Sequence, residues 1–178
     1  MTTGELETRL KSAIRNVPDF PEEGVTYRDI TPILHDVELF HDLTMHFRDR
    51  YDGEEIDHVA AIESRGFIFG GALAQALDTS MSLVRKPGKL PRETYTVEYE
   101  LEYGTDTLEL HTDAMSEGAQ VLVVDDLLAT GGTCRAANRL VERAGGEIVE
   151  CAFVIELTSL GGRDRLTGWD VHSLATYE

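Results

Sequence analysis

Val121-Leu122-Val123-Val124, four apolar residues of which three are β-branched, runs straight into two adjacent carboxylates, Asp125 and Asp126. A short unbroken apolar run of this kind is the pattern of a strand buried on both faces, as in a parallel sheet covered by helices on either side. Successive side chains on a strand point to opposite faces. Asp125 and Asp126 can therefore serve one ligand only if the chain is already turning off the sheet, and the pair is predicted at the C-terminal edge of a strand.

Beyond Leu127 and Leu128 come Ala129, Thr130, Gly131, Gly132 and Thr133, small residues and hydroxyls, and then a helical pattern with Ala136, Ala137, Leu140, Val141 and Ala144 on one face. Glycines allow the backbone to bend tightly and gather N–H groups, and a helix N-terminus adds partial positive charge, so residues 129–133 read as a phosphate cradle. The lysine of an ATP-type loop is missing, and neither Gly-x-x-x-x-Gly-Lys-Ser/Thr nor Gly-x-Gly-x-x-Gly occurs. Carboxylates just before such a cradle suit a sugar phosphate instead. They accept hydrogen bonds from vicinal hydroxyls while the loop holds the phosphate, each charged hydrogen bond contributing roughly 1.5–3 kcal/mol.

The strand, polar loop and helix pattern occurs once more, as Val59–Ile62, then Glu63-Ser64-Arg65-Gly66, then Phe67–Leu77. A guanidinium at Arg65, on a strand's C-terminal edge, matches a phosphate bidentately. Met81–Val84 is predicted as a third strand. After it, Arg85, Lys86, Lys89 and Arg92 place four of the chain's sixteen cationic residues, and two of its three lysines, in eight positions. A solvated basic patch is the ordinary reading of such a run; its concentration in so acidic a chain, beside Pro87, Gly88 and Pro91, points to an anion. Residues 95–103 and 107–112 alternate polar and apolar around Gly104-Thr105-Asp106, a hairpin placed to act as a lid. Helices are predicted over 5–15 and 37–51, the latter covering the sheet, a strand over 148–155, and short elements over 166–176. Between the first two helices, residues 20–32 carry Pro and Gly that forbid a long regular element, yet keep enough aromatics to pack on themselves.

Residues 125–133 resemble the signature of the type I phosphoribosyltransferase family, and VVDDLLATGGT as a whole resembles its adenine phosphoribosyltransferase branch. So do FPEEGVTYRDIT, similar to that branch's hood, ESRGF, similar to its pyrophosphate loop, VRKPGKLPRET, and LEYGTD, similar to its flexible loop. The resemblance implies a single α/β domain over 1–178. Its doubly wound, mostly parallel sheet would be flanked by helices, with a hood at about 17–34 and a basic loop and projecting hairpin at about 85–112. It implies transfer of phosphoribosyl from phosphoribosyl pyrophosphate to adenine, giving AMP and pyrophosphate. Val25, Tyr27 and Arg28 would contact the base. Ser64, Arg65, Arg85, Lys86 and Lys89 would take pyrophosphate, and Ala129, Thr130, Gly131, Gly132 and Thr133 the 5′-phosphate. Asp125 and Asp126 would hold the ribose, Tyr103 would close over the centre, and Glu102 would act as general acid or base. Mg²⁺ bound mainly through substrate oxygens and a homodimer are implied too. Hypoxanthine, guanine or xanthine as the base, or a non-catalytic regulator binding phosphoribosyl pyrophosphate, are the alternatives.

A net charge of −17 argues against nucleic acid or an anionic membrane as partner, since like charges repel and no counterions are released. No apolar run reads as a signal peptide or membrane span, which makes a cytoplasmic location the expectation. Cys134 and Cys151 lack metal-ligand spacing and read as buried thiols, and the scattered histidines predict no protein-bound metal site.

Overall fold

The computed structural model describes residues 1–100 and 104–178, with the side chain of Glu100 left aside. The chain divides into two compact units, 1–50 and 51–178.

In the first unit, α1 (Thr3–Ala13) opens on a capping box: Thr2 accepts from the Glu5 N–H, and the Glu5 carboxylate accepts from the Thr2 N–H at 2.7 Å. Leu6 and Leu10, four residues apart and so on one face of the predicted helix, are buried. Two four-residue strands follow, β1 (Arg15–Pro18) and β2 (Thr26–Asp29), paired antiparallel from Arg15↔Asp29 to Pro18↔Thr26. Pro and Gly do keep these elements short. The connection packs its own aromatics as predicted, with the Phe20 and Tyr27 rings edge-on at 5.2 Å. Next come α2 (Thr31–His35) and α3 (Val37–Arg50), the latter burying Leu39, Leu43 and Phe47.

The second unit is built on β3 (His58–Ile62), α4 (Gly66–Ala76), β4 (Ser80–Val84), the hairpin β5 (Thr94–Glu100) and β6 (Thr105–His111), β7 (Gln120–Leu128), α5 (Gly132–Arg143), β8 (Glu147–Leu157) and β9 (Val171–Tyr177). Its five-stranded sheet runs β4-β3-β7-β8-β9, every pair parallel. From β3 the chain steps through α4 outward to β4; from β7 it steps through α5 the other way, to β8 and β9. The direction of winding therefore reverses between β3 and β7, where α/β sheets of this kind open a crevice at their strands' C-terminal ends. Val121 and Val123 share a buried cluster with Leu140 and Val141 of α5 and with Val97, Leu108 and Leu110 of the hairpin. Against the sheet, α4 packs through Gly70, whose absent Cβ would fall 2.5 Å from that of Ala61.

Two elements depart from the sequence expectation. The strand beginning at Val121 does not stop at the carboxylates but keeps its ladder with β8 through Leu128↔Glu156. Residues 171–177 form a full strand rather than short elements. Only Leu174 and Ala175 of β9 are buried, because an edge strand can keep polar side chains in solvent, and this hides the apolar signal.

Candidate functional site

The crevice takes its shape from where β3 ends. β3 pairs with β7 only as far as Ala61↔Val124, so among the described residues β7 is bonded from Asp125 onward on its β8 side alone. The carboxylates thus become reachable because a neighbour is lost, not because their own strand turns away. Asp126 is 4% exposed, and Arg65 Nε lies 2.9 Å from its Oδ2 as an ion pair. Asp125 folds back to accept the Asp126 N–H at 2.8 Å. Behind it the 63–66 turn closes in: a Cβ at Gly66 would sit 2.8 Å from Asp125 Oδ1 and 2.9 Å from the Val124 carbonyl, so that position admits no side chain. Burial pushes both carboxyls up, Asp125 well above the ordinary carboxylate range because the Asp126 charge adds to the desolvation, while Arg65 pulls Asp126 back. Both shifts make the charged form of the unliganded pair costlier than that of free carboxyls, a cost that a ligand rich in hydroxyl donors or cationic charge would offset.

One strand end away, residues 129–131 bend into α5, with Gly131 at φ 80° as the cap residue. The first N–H groups of α5 have no intrahelical acceptor, and charge on a bound anion would satisfy them. The loop is backed by a second glycine turn that the sequence reading did not single out. A Cβ at Gly131 would meet the Gly162 carbonyl, and one at Gly162 would meet the Ala129 carbonyl. The adjacent Gly161-Gly162 pair was the available signal, but its partner lies more than thirty residues away. Gly162→Ala is expected to cost about 1–3 kcal/mol by overpacking. At ~2–4 °C for each kcal/mol, that lowers the melting temperature by several degrees in a thermal scan; an unchanged midpoint would show that the two turns can separate freely.

The basic segment is gathered by one carboxylate. Glu63, its side chain 8% exposed, accepts from Lys89 Nζ at 2.6 Å, from the Lys86 N–H at 2.9 Å and from Arg85 Nε at 3.2 Å. Burial alone would raise its carboxyl, but Lys89, the Lys86 amide and Arg85 together hold it below the ordinary value. Lys86 reaches onward to Asp106 on β6 at 2.9 Å, which raises the ammonium and lowers the carboxyl, and Arg92 pairs with Asp113. The sequence reading missed Glu63, although an acid heading the Ser64-Arg65 turn and followed by an excess of cations was a usable hint.

The predicted site residues of the second unit therefore meet in two groups. Arg65 joins Asp125 and Asp126, while Arg85, Lys86 and Lys89 converge on Glu63 beside exposed Ser64. Thr133 Oγ1 reaches the Tyr99 hydroxyl of the hairpin at 3.5 Å, which ties the cradle to the candidate lid. In the first unit Val25 is 38% exposed, and Tyr27 and Arg28 are half-buried, Arg28 donating to Asn16. Glu102 and Tyr103 lie outside the described residues. Among the described residues no group of three or more His, Cys, Asp or Glu side chains could hold a metal ion, and no helix is long and apolar enough to cross a membrane.

Comparison with known proteins agrees with this layout. The phosphoribosyl transferase domain model matches residues 38–174. Adenine phosphoribosyltransferases of Solibacter usitatus and Geobacter metallireducens are 55% and 52% identical, each covering about 94–95% of this chain and 98% of their own length. Among solved structures, that of the adenine phosphoribosyltransferase from Thermoanaerobacter pseudethanolicus superposes with a TM-score of 0.93 at 48% identity, covering 99% of this chain and 100% of its own. The Saccharomyces cerevisiae enzyme, solved with adenine and an imino-altritol bisphosphate, gives 0.91 at 39% identity, covering 96% and 99%.

Proposed function

Because the chain belongs to the adenine phosphoribosyltransferases within the phosphoribosyl transferase domain family, we propose that it transfers the 5-phosphoribosyl group of phosphoribosyl pyrophosphate to adenine, giving AMP and pyrophosphate. The observation that carries the reading is a convergence at one reversal of the sheet. A buried carboxylate pair, a guanidinium turn and a glycine-bent helix N-terminus all stand at the C-terminal ends of β3 and β7.

In the reaction the bond from the ribose anomeric carbon to pyrophosphate breaks, a bond from that carbon to an adenine ring nitrogen forms, and the base gives up a proton. Positive charge builds on the ribose as the leaving group loosens, so the site should stabilise charge rather than form bonds to substrate. Asp125 and Asp126 accept from the ribose hydroxyls and supply negative potential. Arg65, with Ser64, Arg85, Lys86 and Lys89, receives the departing pyrophosphate, and residues 129–133 hold the 5′-phosphate. Val25, Tyr27 and Arg28 of the hood are assigned to the base. Glu102 is assigned to the proton transfer and Tyr103 to closure, which would exclude the water that otherwise hydrolyses the sugar phosphate.

Two carboxylates without a further protein ligand fit a Mg²⁺ held chiefly through substrate oxygens and water, with Asp125 and Asp126 as its protein-side partners. Bound there, the ion would neutralise charge on the leaving pyrophosphate. The family resemblance also supports a homodimer, which sedimentation at micromolar concentration checks.

Assaying pyrophosphate release with phosphoribosyl pyrophosphate, Mg²⁺ and each purine base tests the assignment. Adenine is expected to exceed hypoxanthine, guanine and xanthine by at least about 100-fold, since a site built for an amino donor leaves polar groups unpaired against an oxo base. Comparable rates with guanine would overturn the choice of base, and no release with any base would overturn the enzyme.

A further inference from the structure

A groove of about 540 Å³ lies where α5 meets the hairpin, lined by Gly132, Arg135, Ala136 and Arg139 of the helix, Arg165 of the segment after β8, and Glu98, Tyr99 and Thr105 of the hairpin. The four helix residues stand at i, i+3, i+4 and i+7, one stripe, in which the small Gly132 and Ala136 form a floor between two arginines. The volume is within the range of small-ligand sites.

The charge pattern is what singles the groove out. The other cations of the second unit are engaged: Arg65 with Asp126, Arg85 and Lys89 with Glu63, Lys86 with Asp106, Arg92 with Asp113, and Arg163 with Glu156. Arg143 donates to the Thr96 carbonyl and lies over the Tyr95 ring. Among the described residues, Arg135, Arg139 and Arg165 alone in this unit have no ion pair or side-chain hydrogen bond, in a chain where 33 acids face 16 cations. Among the described residues that line it, Glu98 is the one acid opposing them, and the Tyr99 and Thr105 hydroxyls add donors. Three unpaired guanidiniums around one concavity cost electrostatic self-repulsion that an anion removes, and their planar forks match phosphate oxygens.

We propose that this groove is a second anion site, sharing Gly132 with the 129–133 cradle but extending from it along α5, which takes a chain of two or more phosphate groups, either free or carried by a nucleotide. A single phosphate could satisfy one fork; three guanidiniums spread over two turns of helix and a separate segment call for a longer anion. Because Tyr99 lines the groove and also meets Thr133, an occupant would steady the hairpin against the cradle.

Equilibrium dialysis of the whole protein against pyrophosphate and, in a parallel arm, ADP at physiological salt tests this. The wild-type chain is expected to bind one more equivalent than R135Q/R139Q/R165Q, whose exposed substitutions leave the fold and the cradle backbone in place. An extra equivalent with pyrophosphate only assigns a free polyphosphate, and one in both arms assigns a nucleotide's phosphates. Equal binding by the two proteins in both arms overturns the site. So does loss of the extra equivalent in the charge-matched control R9Q/R15Q/R48Q, which would make it an effect of net charge. Binding common to all three proteins reports on the transferase site, so the two readings fail separately.

Discussion

Replacing Asp126 by Asn is expected to lower turnover at least tenfold while leaving the melting temperature at neutral pH unchanged or higher. The two halves have one cause. Asp126 is buried, and its carboxyl is held above the ordinary value because desolvation outweighs the pull of Arg65. A carboxyl raised on folding adds stability below its ordinary pKa, and that contribution is lost as pH rises through the raised value. At neutral pH the ionised pair is therefore a burden on the unliganded fold, repaid only when ribose hydroxyls and cationic charge arrive. Asn keeps the shape and removes the charge, and Arg65, whose side chain is 30% exposed, can turn to water. The stability advantage of Asp126→Asn should shrink as pH falls into the ordinary carboxylate range, where the wild-type pair is neutral too. In the reaction, the lost potential acts where positive charge develops. A tenfold loss corresponds to about 1.4 kcal/mol, well inside the roughly 2.7–4 kcal/mol attached to single electrostatic contacts of comparable type. Steady-state rates beside a pH series of thermal scans check both halves; near-normal turnover would refute the role given to the pair.

What the chain discloses on its own is what is local in sequence. The apolar run at Val121, the doublet after it and the Thr130–Thr133 bend are contiguous, so strand, acids and cradle could be read together, and likewise Val59–Ile62 with Arg65. The cation run at 85–92 stood out against the acid background. The missing parts depend on partners distant in sequence. That β3 releases β7 at Asp125 is a matter of register between strands sixty residues apart. That Gly161-Gly162 backs the cradle follows from a return of the chain beside Ala129. Edge position hid β9, because period and hydrophobicity weaken where one side of a strand meets solvent. Glu63 looked like any polar loop residue, since nothing in its neighbours tells which cations will fold onto it.

Glu63→Gln is expected to raise KM for phosphoribosyl pyrophosphate at least tenfold, with a smaller change in KM for adenine, and to lower the melting temperature by several degrees. Glu63 is the junction at which the end of β3 holds three separate parts of the basic segment: the Lys89 ammonium, the Lys86 amide and the Arg85 guanidinium. Gln keeps two acceptor lone pairs but loses the charge that answers two cations at once, so the segment gains freedom that pyrophosphate must then remove. Breaking a buried pair by removing one charge can cost 3–5 kcal/mol. Here Arg85 and Lys89 are 29% and 48% exposed, and solvent reduces the loss to about 1–3 kcal/mol, or several degrees at ~2–4 °C for each kcal/mol. The pH sign is opposite to that of Asp126. A carboxyl depressed on folding contributes stability above its ordinary pKa that is lost as pH falls through the depressed value, so the gap between wild type and Glu63→Gln should close in acid. Glu63→Asp, which keeps the charge on a shorter stem, should recover part of the KM loss. A uniform fall in kcat with both KM values unchanged would mean that Glu63 supports the fold alone, and the basic segment would then need another explanation for its convergence on that one carboxylate.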